Sequence, residues 1–120
     1  MPFFLHQVSY TPEALARLVA NPQDRTDAVR GPIEKLGGKV KEMFFAFGEH
    51  DAVLLTEMPD NVSAAAIAMA FWAGGSVRSC QTTALMTMAE ALDAMRKAGT
   101  CGYRPVPAAA SAAAVPTPRG

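Results

Sequence analysis

The residues able to do chemistry are few: two histidines, His6 and His50, and two cysteines, Cys80 and Cys101. His6 is a candidate acid/base near neutral pH, Tyr10 a hydrogen-bond donor, Arg78 an anion holder and Cys80 a thiol whose reactivity depends on nearby positive charge. Thr82 falls in the same stretch as Arg78 and Cys80. These five are candidates for one ligand-binding site. The bland alternative is a histidine paired to a strand neighbour, an arginine at a strand end, a tyrosine over the core rim and an inert buried thiol. His50-Asp51 has the look of a histidine–carboxylate pair, but adjacent residues in a tight turn serve turn geometry first. No HxxE or HxH spacing occurs, so no metal site is expected and no cofactor is implied. Gly37-Gly38 and Gly74-Gly75 both follow helices, whereas phosphate-binding loops precede them.

The elements that position these residues are organised around LGGKVKEMFFAFGEHDAVLLTEMPD, residues 36–60. It reads as a β-hairpin with a helix stop before it and a helix start after it. Gly37-Gly38 supplies the left-handed residue that ends a helix, 39–47 and 52–58 are β-prone, and Gly48-Glu49-His50-Asp51 forms an exposed turn between them. Before the hairpin, 3–10 reads as a strand and Thr11-Pro12-Glu13 as a helix start. Leu15, Leu18 and Val19 form one apolar face. After an interruption at Asn21-Pro22, Val29, Ile33 and Leu36 resume the spacing, with a kink or restart expected at Gly31-Pro32. After the hairpin, Asp60 or Asn61 caps a helix whose inner stripe is Ile67, Ala70, Phe71 and Gly74. A strand at 77–86 follows, and then a helix opened by the capping box Thr87-Met88-Ala89-Glu90 and ended at Gly99.

The order β-α-β-β-α-β-α with right-handed crossovers predicts an α+β, ferredoxin-like sandwich. Its four-stranded antiparallel sheet has the first strand between the third and fourth. That order brings the start of the fourth strand against the end of the first, so that His6, Tyr10, Arg78, Cys80 and Thr82 converge. Met43, Phe45 and Phe47 alternate with Val40, Phe44 and Ala46, so both sheet faces are apolar at their middle and the uncovered one is expected to meet another copy of the chain.

Length and charge bound the rest. A chain of 120 residues, half of them apolar, makes one domain, expected over 1–103, with the Pro/Ala-rich segment 104–120 as a disordered tail. Basic and acidic residues are 11 each, and leaving out Arg104 and Arg119 leaves 9 basic against 11 acidic, so neither nucleic acid nor an anionic membrane is an expected partner. The sparse cysteines and the lack of a signal-peptide pattern or membrane-length apolar run point to a cytoplasmic protein.

The segments YTPEAL, NPQDR, LGGKVKEMFFAFGEHD and PDNVSAAAIAMAFWAGGSVRS, with the final TxxE helix, together resemble the GYD domain, a small bacterial family related in fold to the dimeric α+β barrels. The resemblance covers about 3–98. The signature Gly-Tyr-Asp region corresponds to Gly48, His50 and Asp51, with His50 where the family usually shows tyrosine. The resemblance implies the fold and a homo-oligomer; it names no substrate. Two functions remain open. One is a small-molecule binder or cofactor-independent enzyme with a pocket near His6, Tyr10, Arg78 and Cys80. The other is an assembly protein whose apolar sheet face makes a homodimer or larger homo-oligomer. Binding is favoured over catalysis, because two histidines in this layout assemble no set of nucleophile, base and orienting group.

Overall fold

The computed structural model describes residues 1–108, so most of the tail beyond 104 lies outside the described residues. The chain divides into two compact units, 1–86 and 87 onward.

The first unit holds β1 (Phe3–Tyr10), α1 (Pro12–Ala20), α2 (Thr26–Lys35), β2 (Lys39–Phe45), β3 (Ala52–Glu57), α3 (Asn61–Ala73) and β4 (Val77–Leu85). The four strands form one antiparallel sheet in the order β2-β3-β1-β4, the ferredoxin-like order, with β1 between β3 and β4. The second unit carries α4 (Met88–Ala98), opened by a complete capping box: Thr87 Oγ1 accepts from Glu90 N and the Glu90 carboxylate accepts from Thr87 N. None of its residues is buried, and Met88, Leu92 and Met95 are exposed.

Alternation along the strands divides the sheet into two faces. Phe4, His6 and Val8 of β1 and Ala52, Leu54 and Thr56 of β3 are buried beneath the helices, where Ile33 of α2 and Ala64 and Ile67 of α3 complete the core. Burying one such aliphatic side chain is worth about 1.5–3 kcal/mol, so this layer supplies most of the driving force. The other face carries Leu5, Val53, Leu55 and Phe44, with Gln7, Gln81 and Thr83 around them.

Three expectations are corrected. β2 stops at Phe45, leaving Phe47 fully exposed, and an irregularity between Val40 and Glu42 puts Val40 and Met43 on the same inner face. A β-bulge inserts one unpaired residue and so inverts the alternation on either side of it. On α1 the inner residue is Ala14, not Leu15 or Val19, which are exposed; on α3 Ala64 and Ile67 are buried and Phe71 half-buried, while Ala70 and Gly74 face the same way but border an open hollow between α3 and the sheet rather than the closed core. α2 runs without a restart through Gly31-Pro32. One lost backbone bond is offset by fully buried Ile33 on the same turn.

The end of α2 is closed by a Schellman pair: Gly37 N donates to Glu34 O at 2.9 Å and Gly38 N to Ile33 O at 2.9 Å, with Gly37 at φ 87°. Among the described residues no helix is long and apolar enough to cross a membrane.

Candidate functional site

The β1–β4 pairing sets His6 opposite Thr82 and Val8 opposite Cys80, all on the helix-covered face. His6 is fully buried and both its nitrogens are occupied. Nδ1 lies 2.9 Å from Thr82 Oγ1 and Nε2 lies 3.2 Å from Thr56 Oγ1. Thr56 donates its own proton to Phe4 O, so Nε2 carries the imidazole proton and Nδ1 accepts from the Thr82 hydroxyl. The ring meets Phe71 edge-on, centroids 6.3 Å apart. Burial pulls the His6 pKa down to about 4. At neutral pH it is therefore an uncharged, saturated core residue rather than an acid/base. Burial likewise raises the Cys80 thiol, only partly opposed by its contact with Thr82, so this cysteine is not a poised thiolate. Arg78 is exposed beside the β1–β4 irregularity at Ser9/Tyr10.

The turn at Gly48–Asp51 is bound to the sheet rather than standing free. Gly48 and Glu49 are exposed, but His50 and Asp51 are half-buried. Asp51 extends the β1–β3 ladder one step past its last residue pair: its N–H donates to Val8 O at 2.8 Å and its carboxylate accepts from Tyr10 N at 2.9 Å. Ser9, buried on the open face, donates to Glu49 O at 3.1 Å, and His50 Nδ1 lies 3.4 Å from the same hydroxyl. The Gly-x-His-Asp turn thus fixes the backbone of Tyr10. An aspartate suits this work because its short carboxylate accepts a local backbone donor.

Tyr10 borders three cavities. An inner one of about 260 Å³ lies between the sheet and helices α2 and α3, lined by Val8, Val29, Met43, Leu54, Ile67 and Phe71, with Arg25 among its remaining lining residues. A second, of about 460 Å³, is bordered by Arg17, Asn21, Gln23 and Arg25 together with Ala14, Leu18 and Ala20. The first two share Tyr10, Arg25 and Ser76. The third, about 700 Å³, runs past Leu15, Val19, Phe44 and Phe45, again with Tyr10 and Arg25. Of the five residues singled out in the sequence, Tyr10 lines these cavities; His6, Arg78, Cys80 and Thr82 line none of the three. Burial raises the Tyr10 pKa, with the Arg25 charge opposing and the Asp51 charge adding to the rise, so the phenol stays protonated and able to donate.

The GYD-domain model matches residues 4–95. The chain belongs to the GYD-domain family. No curated protein matches it. In this GYD-domain protein the Gly48–Asp51 turn is linked to the cavities only through its bonds to Tyr10 and its neighbours. The residue that sequence reasoning passed over is Arg25. It ends NPQDR, the short polar link between α1 and α2, and the available signal was that loops on a rigid scaffold carry binding residues.

Proposed function

We propose that this GYD-domain protein binds a small molecule in the cleft between the sheet and helices α2 and α3. The observation that carries the reading is the inner cavity itself: apolar walls from the four strands and helices α2 and α3, with Tyr10, Arg25 and Ser76 at its polar mouth. A mostly apolar hollow with a few converging polar groups is the usual form of a ligand site, and about 260 Å³ suits a ligand smaller than the drug-sized molecules that fill roughly 300–1,000 Å³. Binding without catalysis is favoured by the state of the polar residues, since His6 is neutral and saturated and Cys80 is protonated. Two cysteines with free thiols suit a cytoplasmic setting.

Thermal-shift screening of purified protein against metabolite pools tests this. A ligand at a hundred times its Kd adds about 2.7 kcal/mol and raises Tm by roughly 10 °C. The shift is expected to vanish in Ala70→Phe, which fills the inner cavity from an exposed position on α3. No stabilising pool, or a shift that persists in Ala70→Phe, would sink the reading.

A second reading, homo-oligomerisation, rests on the open sheet face. There Phe44 is 60% exposed and shares the face with Leu5, Val53 and Leu55. A two-fold dimer with these faces together removes the patch from water. Phe44→Asp is expected to leave a folded monomer, and sedimentation of the unmodified chain as a 12.7 kDa species would exclude the dimer.

A further inference from the structure

We infer that the ligand of this cleft is a small amphiphilic monocarboxylate, its apolar body in the inner cavity and its carboxylate held at the mouth by Arg25, with Tyr10 and Arg17 beside it. The inference rests on the cleft reading above and names the class of molecule that the cleft takes. Three observations carry it.

The first is where the two chambers join. The inner cavity is walled by Val29, Met43, Leu54, Ile67 and Phe71, the adjoining one by Arg17, Arg25, Asn21 and Gln23, and they meet at Tyr10, Arg25 and Ser76. A molecule with its apolar body in the inner chamber meets polar groups, Tyr10, Arg25 and Ser76, where it reaches this junction.

The second is uncompensated positive charge. Neither of these two linings contains a carboxylate. Among the described residues, Arg17 and Arg25 form no ion pair, whereas Arg30 and Arg96 each pair with an aspartate three residues away. Among the described residues the Arg25 side chain is held only by Gln23, whose side-chain oxygen accepts from its Nη1 at 3.3 Å. The Tyr10 hydroxyl makes no hydrogen bond to a described residue, although burial keeps it protonated and ready to donate. A guanidinium fork and a phenol at one mouth match the two oxygens of a carboxylate.

The third discriminates between anions. A phosphate would seek the free backbone donors that open a helix. At α2 the first of these donors is taken: Asp24 Oδ1 accepts from both the N–H of Thr26, at 2.9 Å, and its hydroxyl, at 2.6 Å. These bonds hold the Asp24 carboxyl below the usual carboxylate range, so a fixed negative charge already sits there and opposes a dianion. A monoanion reaching Arg25 from the cleft side meets the Asp24 and Asp51 charges with half the repulsion that a dianion would.

Calorimetric titration with phenylacetate and hexanoate, each beside its neutral amide, tests the inference. The acids are expected to bind, with the amides at least about tenfold weaker, the usual scale for losing a charge-assisted pair. Arg25→Gln is expected to remove that difference. Arg25 is exposed, so an unchanged melting curve separates lost recognition from lost folding. Amides binding as tightly as acids, or acid binding unaltered in Arg25→Gln, would overturn the carboxylate assignment while leaving a ligand-binding cleft in place. Absence of binding by both acids would overturn the assignment as well, and the cleft reading then stands or falls by the metabolite screen and Ala70→Phe.

Discussion

Between pH 7 and pH 5 the folded chain is expected to lose about 2 kcal/mol of stability through His6 alone. An exposed histidine in the unfolded chain protonates with a pKa near 6.5, whereas burial holds the folded one at about 4. The unfolded state therefore binds more protons throughout that interval, and stability falls as pH falls. The contribution is complete above the unfolded pKa, declines from there toward 4, and levels off below. Each pH unit inside the window costs about 1.4 kcal/mol, which gives the figure at pH 5. Protonation would also put a second proton on Nδ1, turning the Thr82 hydroxyl from donor to forced acceptor in a site with no buried carboxylate beside it. Urea denaturation at the two pH values measures the effect, and His6→Gln, which does not titrate, should flatten the difference. Asp24, held low by the Thr26 hydroxyl and then its backbone N–H, and Asp60, held low by the Ser63 N–H, lose their contribution at more acidic pH and stay outside the interval. Equal stability of the unmodified protein at pH 7 and 5 would show that the imidazole is not sealed in.

Gly38→Ala is expected to cost about 2 kcal/mol, and more than Gly37→Ala. A Cβ at residue 38 would lie 2.7 Å from Glu57 O and against the Met58 sulfur. Met58 is fully buried and the Glu57 carbonyl is backbone, so neither can retreat without displacing the start of β2 from the end of β3. Overpacking of this kind typically costs about 1–3 kcal/mol. Residue 37 has the complementary problem: its φ of 87° strains an alanine by roughly 1–2 kcal/mol, but its new Cβ would meet only the edge of the Pro59 ring at 3.2 Å. Chemical denaturation of both variants decides the order. If Gly37→Ala were the more damaging, the close approach of β2 to β3 would not be what demands the second glycine.

The two glycines illustrate what could be read from the chain. The helix stop was legible because a Gly pair after a periodic apolar run is local chemistry. That one glycine is required for its dihedral and the other for space depends on where 57–59 return, which no local pattern records. The strand order was also determined by sequence: caps at Thr11, Asp60 and Thr87 and the β-prone runs at 3–10 and 52–58 set the element order. Right-handed crossovers then allow few topologies. That order makes β1 and β4 antiparallel neighbours, so His6 could be expected near Thr82, and the pairing sets them opposite each other.

Tertiary structure alone decided the rest. The irregularity at 40–42 inverted the face of half of β2, since the side-chain period of 2 survives only while pairing is one-to-one. His6 has the residue type of a catalyst, yet its two threonine partners and the Phe71 edge make it a core residue, and only burial fixes its charge. Arg25 has the residue type of a solvated loop cation. It becomes a candidate ligand holder because α1 and α2 place NPQDR over Tyr10, whose own position is set by the Asp51 carboxylate across the sheet. Short-range patterns report how each segment folds against water. Which charge remains unpaired at the mouth of a cavity depends on residues 15, 26 and 41 positions apart in the chain, and packing alone brings them together.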